Sequence, residues 1–243
     1  LVKLLERSAP SSRAVVHLPL GTGDYGEVLE LQRQLRDRRS QGELDDVVIT
    51  VEHNPVFTIG RLGSTSNLLV SRDVLKAEGI QLFEIERGGD ITYHGPGQLV
   101  VYPIIDLRDY ERDVRAYVDR LEEATIRTLE TFGIKGRRAS GRPGVWVDGR
   151  KIASIGVHVR RWITSHGLAI NVDVERRHFA MIRPCGLPVS AVSMAEITEE
   201  RTDVGEVLTR FLDEAAALFG WSLKSVRLTE IGGVGHGHST GLA

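Results

Sequence analysis

Cys185 is the single cysteine of this 243-residue chain, and it stands between Pro184 and Gly186 in the stretch MIRPCGL. Pro184 removes a backbone donor and restricts the residue before it, while Gly186 frees the backbone beyond the sulfur. The thiol is therefore expected on a turn rather than inside an element. A cysteine so placed is either a small inert hydrophobe or a nucleophile, and only its thiolate form attacks. Upstream, Lys151 follows Asp148-Gly149 and heads the run KIASIGVHV. At a strand start a lysine is ordinarily a solvated charge, the alternative being a catalytic amine. In the same run Ser154-Ile155-Gly156 puts a small residue and a glycine inside a strand, which costs stability and marks where a ligand or another backbone passes close.

Two further segments carry the same signature. RGGDITYHGPGQ (87–98) packs four glycines among Arg87, Asp90, Tyr93 and His94. Its backbone can approach a ligand closely, with Arg87 and His94 as donors; the plain alternative is a glycine-rich turn bearing a surface histidine. It is neither a Walker loop nor a dinucleotide fingerprint, since G-x-x-x-x-G-K-[ST] and a helix-opening G-x-G-x-x-G are both missing. SHGLAINV (165–172) sets His166 and Gly167 in an otherwise apolar strand, where a histidine with a backbone partner is the plain reading.

These residues need elements to hold them. RAVVHLPL (13–20) and DDVVITVEH (45–53) read as strands, the second buried and ended by Asn54-Pro55. Between them Asp24 and Glu27 resemble an N-cap and its reciprocal partner, opening a helix with Tyr25, Val28, Leu31 and Leu35 on one side. QLVVYPIIDL (98–107) is a further β-type run. Residues 113–134 carry Val114, Tyr117, Val118, Leu121, Leu129 and Phe132 at helical spacing up to Gly133. Asp148-Gly149 between two β-type runs predicts a hairpin, with 165–174 pairing beside it. A last amphipathic helix runs through Val204, Val207, Leu208, Phe211, Leu212, Ala215 and Leu218 to a short strand near SLKSVRL. Strands and helices intermix without a regular β-α-β beat, so the expected class is α+β on a mixed or antiparallel sheet. One domain over 13–228 is expected, with an N-terminal extension (1–12) and a flexible Gly/His tail (229–243).

The bulk properties exclude several classes. With 41% hydrophobic and 26% charged residues the chain is of ordinary globular composition, and a formal charge of -2 argues against a general nucleic-acid binder. One cysteine forms no internal disulfide, no Cys/His cluster offers a zinc site, and His236-x-His238 lies in the tail, so no metal is expected. No apolar run is long enough to span a membrane, and the first residues lack signal-peptide features, so a reducing cytoplasm is the expected compartment.

Taken in order, RGGDITYHGPGQLVVYPIIDL, GVWVDGRKIASIGVHV, SHGLAINV and PCG, with a weaker echo in VEHNPVFTIGR (51–61), resemble the octanoyltransferase family, over most of residues 13 to about 220. The resemblance implies a fold similar to the lipoate and biotin protein ligases, with no cofactor. It implies transfer of an octanoyl group from acyl carrier protein to a lysine of a lipoyl domain, with no nucleic acid or membrane partner. It places the acyl-accepting cysteine at Cys185 and its paired lysine at Lys151. The substrate-binding segments fall on Arg87, Gly88, Gly89, Asp90, Ile91, Thr92, Tyr93 and His94, on Ser154, Ile155 and Gly156, and on Gly167, Leu168 and Ala169. His53 and His166 fall where the family places pocket-lining histidines.

The chemistry fits these groups. A thiolate exchanges with a thioester donor at little cost, and amide formation drives the second transfer. Lys151 as a cation would lower the cysteine pKa; desolvated and neutral, it would be the base that deprotonates the sulfur. Backbone amides of the glycine-rich segments would hold the oxyanion, and Gly156, Gly167 and Ala169 would leave room for the chain, at about 0.8 kcal/mol per buried CH₂. Arg160-Arg161 and Arg176-Arg177 could receive acidic partners. The competing readings are an ATP-using ligase, a thioesterase and a non-catalytic acyl-binding module.

Overall fold

Side chains alternate along the β-branched runs and bury both faces of one sheet. In β2 (Asp46–His53) Val48 enters one core while Val47, Ile49 and Val51 enter the other. In β6 (Gln98–Ile104) Leu99 and Val101 take the first side and Val100, Tyr102 and Ile104 the second. The computed structural model describes residues 12–183 and 191–231. Cys185, the tail histidines His236 and His238, and residues 1–11 lie outside the described residues.

Among the described residues the large sheet has eight strands in the order β11-β1-β2-β6-β10-β9-β8-β7. β1 (Arg13–Gly23) runs parallel to β2 and to β11 (Trp221–Ser225). The remaining pairs, through β10 (Ile163–Asn171), β9 (Arg150–Arg160), β8 (Arg142–Val147) and β7 (Arg137–Ala139), are antiparallel. The mixed sheet of the α+β expectation is therefore present. The hairpin forms where Asp148-Gly149 predicts it: both residues take positive φ (47° and 77°), and Val147 faces Arg150 across the turn.

Helices cover both faces. α1 (Tyr25–Gln41) starts on Asp24, whose Oδ1 accepts from the Gly26 and Glu27 amides, and ends on Gly42 at φ 77°. Gln81 donates to the other oxygen of Asp24. α1 packs Val28, Leu31 and Leu35 on one face of the sheet. On the other face lie α3 (Val114–Thr131) and α5 (Val204–Phe219), which contribute Tyr117, Leu121, Leu129, Val207, Phe211, Ala215 and Phe219 to the larger core.

A second, three-stranded sheet was not legible in the sequence. β3 (Val56–Ile59) lies between β4 (Gln81–Glu84) and β5 (Ile91–His94), with the short α2 (Arg72–Ala77) leading into β4. Each of these strands has only four residues, too few for periodicity to register. β5 lies inside the glycine-rich stretch 87–98, so that stretch is turn, strand and turn rather than one long loop. α4 (Met194–Thr198) completes the helices of the described residues.

Candidate active site

A cavity of about 370 Å³ opens between β8–β10 of the large sheet and the segment from Arg87 to β5. That volume is in the range that encloses a small-molecule ligand. Its wall brings together Lys151, Arg87, Gly88, Gly89, Asp90, Ile91, Thr92, His94, Ser154, Ile155, Gly156, His166, Gly167, Leu168 and Ala169. Three stretches far apart in sequence thus meet because β9 and β10 pair in register, Gly156 opposite Gly167, and the Arg87-Gly88 turn lies across β9 with the Gly88 amide on the Val157 carbonyl (2.9 Å).

Two expected residues stand elsewhere. Strand alternation turns Tyr93 away from the cavity into the core of the small sheet, where its ring meets Phe57, His178 and Phe179. His53 is fully buried and stands behind the wall: its Nδ1 donates to the Gly23 carbonyl (3.2 Å) and its Nε2 accepts from the Tyr102 hydroxyl (2.8 Å). Its ring centroid is 5.0 Å from Tyr25 and 6.0 Å from His94, both of which do line the cavity. Tyr25 was expected only on the inner side of the first helix and Tyr102 was not singled out, although a tyrosine inside the apolar run QLVVYPII was the available signal.

Of the two reasons open for the glycines, a ligand or another backbone passing close, the second applies, and the room for a chain expected at Gly156 and Gly167 is taken by protein atoms. A Cβ on Gly156 would come 3.0 Å from the Gly88 carbonyl oxygen, and a Cβ on Gly167 would fall onto the Val101 carbonyl oxygen and 2.8 Å from Pro103 Cδ. Protein atoms, not ligand space, crowd both positions: backbone at Gly167, and backbone together with the Arg87 side chain at Gly156. Arg87 likewise offers fewer donors than its type suggests. Its guanidinium is bound to the Thr58 carbonyl (2.6 Å), the Thr58 hydroxyl (2.9 Å) and the Gly88 carbonyl (2.9 Å), which fixes the turn against β3. Asp90 is held by the Ile91 amide and by Asn67.

The histidines and tyrosines of the deep wall are uncharged, beside the buried Arg87 guanidinium. Burial pulls His94 down to about 3, helped by neighbouring His53 and opposed by its bond to Gln98; burial pulls His53 down to about 4. His166 is lowered by burial as well, and Tyr25 and Tyr102 are raised by it. His166 sits at φ 55°, a left-handed conformation rare in a strand, with its amide donating to Gln32 of α1 (2.8 Å). At neutral pH His94, His166, Tyr25 and Tyr102 present uncharged rings to whatever fills the cavity, with neutral His53 behind them.

These shifts carry a stability prediction. In the unfolded chain each histidine takes a proton near 6.5, whereas folded His53 and His94 refuse it until about 4 and about 3. Their contribution is complete above pH 6.5 and is lost as pH falls through that window. Each excess proton on the unfolded chain costs about 1.4 kcal/mol per pH unit, so these two contribute about 2.7 kcal/mol per unit, to which the likewise lowered His166 adds. Urea midpoints between pH 7 and 5 check this, and His94→Gln is expected to lower the slope by about 1.4 kcal/mol per pH unit; a flat profile contradicts it.

A hydrogen-bonded chain joins this wall to Lys151. His94 Nδ1 donates to Gln98 Oε1 (2.6 Å), Gln98 Nε2 donates to Asn171 Oδ1 (2.8 Å), and Asn171 Nδ2 donates to the Val192 carbonyl (3.1 Å) and more weakly to that of Lys151 (3.5 Å). Gln98 and Asn171 were missed in the sequence, where an amide in each of two apolar β-runs was the signal. Val192 donates back to the Lys151 carbonyl (3.0 Å), and Ala191 bridges Lys151 in parallel. The chain leaves the described region at Arg183, whose amide binds the Asn67 carbonyl (2.8 Å), and returns at Ala191 on the cavity wall. Cys185 belongs to the intervening stretch. At the cavity rim Lys151 Nζ donates to the Pro143 carbonyl (3.1 Å).

The model of the lipoyl protein ligase A/B catalytic domain matches residues 24–216. An octanoyltransferase of Solibacter usitatus is 49% identical over 204 residues, covering 84% of this chain and 92% of that protein. One of Acidobacterium capsulatum is 43% identical, covering 84% and 87%. The chain belongs to the octanoyltransferases of the lipoyl protein ligase A/B family. The octanoyltransferase fold extends to more distant proteins. A putative lipoate protein ligase from T. acidophilum, solved with bound lipoic acid, superposes with a TM-score of 0.71 over 90% of each chain at 17% identity. The expected likeness to lipoate ligases in fold is thus present.

Of the docking arginines, Arg176 and Arg177 are engaged by Glu196 (3.0 Å) and Glu78 (3.0 Å). Arg161 and Trp162 form the β9–β10 turn with positive φ. Arg61, beside the exposed cavity residue Leu62, and Arg142 of the rim are exposed and have no carboxylate partner among the described residues.

Proposed function

We propose that this enzyme moves an octanoyl group from acyl carrier protein, through a thioester on Cys185, to the lysine amine of a lipoyl domain. The observation that carries the reading is the cavity walled at depth by uncharged histidine and tyrosine rings, with Lys151 at its rim, on the strand to which the chain returns directly after the cysteine segment. Cys185 is six residues from Ala191, and six residues reach up to about 20 Å, so the covalent path allows the sulfur to meet both cavity and lysine. In the first step the Cys185 thiolate attacks the donor carbonyl, a tetrahedral oxyanion forms, and the carrier thiolate leaves and takes up a proton. In the second the acceptor amine attacks the new thioester, loses a proton, and expels the Cys185 thiolate as the amide forms.

The neutral histidines and tyrosines of the deep wall suit an apolar chain, since none places a charge against it. Arg61 and Arg142 support docking of acidic partner domains at the mouth, with Leu62 between partner and cavity. The reaction has a direct test with octanoyl-loaded carrier and an apo lipoyl domain, without ATP. Octanoyl amide on the lipoyl lysine is expected. Free octanoate alone would make the protein a thioesterase, and a strict need for ATP and free acid would make it a ligase.

A further inference from the structure

The side chain of Lys151 does not hang free at the rim: it lies on an aromatic face. Trp146 is directly opposite Lys151 in the β8–β9 register, where the pairing shifts between Val145 and Trp146. Nζ of Lys151 stands 4.9 Å from the centroid of the Trp146 ring and donates to the Pro143 carbonyl. Trp146 is only 6% exposed, so the ring face is shielded from water, the condition under which its attraction for a cation is strongest. Gly144 lies beside the lysine: a Cβ there would meet the Ala153 carbonyl oxygen at 2.5 Å and then Lys151 Cε at 3.3 Å.

We propose that Trp146 is a positioning residue that holds Lys151 as an ammonium, so that the lysine acts on Cys185 by charge rather than as a neutral base. The indole face and the Pro143 carbonyl both present negative potential to Nζ, and the face discriminates strongly between ammonium and amine. Charged groups on the neighbouring elements act on Nζ as well. From β8, Arg142 lies over the same ring (4.6 Å) and opposes the ammonium. From α3, Glu122 lies beneath β8, bound to the Gly144 amide (2.8 Å) and to Arg138 of β7 (3.2 Å). From α4, Glu196 faces Arg150 (4.0 Å) and Arg176 (3.0 Å). The thiolate that this ammonium favours is the attacking form of the sulfur.

The inference rests on the Cys185–Lys151 reading, and the single thiol of the chain allows the two to be tested apart. The rate of iodoacetamide alkylation of the full-length enzyme is followed against pH. For the wild type the midpoint is expected below the ordinary thiol value of about 8.5. Lys151→Met is expected to raise it, Trp146→Leu to raise it by about one pH unit, and Trp146→Phe, which keeps a π face, to stay near the wild type. If Lys151→Met leaves the midpoint where it was, the Cys185–Lys151 pair itself fails. A raised midpoint in Lys151→Met with none in a folded Trp146→Leu overturns the role of Trp146 alone. A second measurement needs no Trp146 variant: with ¹³Cε-labelled lysine, the Lys151 signal, assigned by its loss in Lys151→Met, is expected to stay in its charged form through pH 8.5. A titration midpoint below 8 overturns the proposal.

Discussion

Cys185→Ala is expected to carry no octanoyl group after incubation with an octanoyl thioester donor, under conditions that leave one group on each wild-type chain. No other residue can substitute, because Cys185 is the only thiol in the sequence. A serine or lysine would have to form an ester or amide, and neither exchanges with a thioester as readily as a thiolate does. Lys151→Met is expected to accept the group about 10²- to 10³-fold more slowly at pH 7, the range for losing a positioned proton-handling or charge-providing group. The deficit should narrow toward pH 9, where an ordinary thiol ionises without help. Intact-mass measurements on quenched time courses check both variants. An adduct on Cys185→Ala removes the thioester mechanism, and a Lys151→Met rate equal to wild type at every pH removes the role of Lys151 in it.

Gly167→Ala is expected to destabilise the protein by about 3 kcal/mol or more, the upper range for forcing atoms into a packed interior. The added methyl would fall onto the Val101 carbonyl oxygen of β6 and crowd Pro103. β10 lies between β6 and β9 near the middle of the eight-stranded sheet, so neither neighbour can move without displacing the rest. Gly133→Ala is the control. There nothing lies within 4 Å of the new Cβ and only the left-handed φ of 73° is strained, a cost of about 1–2 kcal/mol. Urea denaturation of the two variants separates these effects. A Gly167→Ala midpoint at or above that of Gly133→Ala would show that the sheet has room at this position.

The order of the major elements was readable because it depends on local patterns. The Asp148-Gly149 turn, the Asp24 cap and the helical spacing from Tyr117 to Leu129 each act within a few residues, and each formed where it was expected. Glycine-rich stretches also announced the site, but for a reason the sequence could not distinguish. Gly156 and Gly167 are small because backbone from Gly88 and Val101 passes over them, and those residues come near only when β9, β10 and β6 are aligned. Tyr93 shows the same limit. Within RGGDITYHGPGQ every side chain faces the ligand equally well, until the pleat of β5 sends His94 to the cavity and Tyr93 to the opposite core.

What the amino-acid order alone determined is therefore the inventory: one thiol, one lysine behind a tight turn, histidines in apolar strands, and the α+β framework that holds them. What only the tertiary structure decided is the state of those groups. Burial at the deep wall keeps His53 and His94 neutral, an amide relay through Gln98 and Asn171 ties that wall to the Lys151 strand, and Trp146 lies under the lysine's charge. The physical reason is that protonation and orientation depend on dielectric and on neighbours within a few ångströms, and those neighbours are supplied by strands far away in sequence.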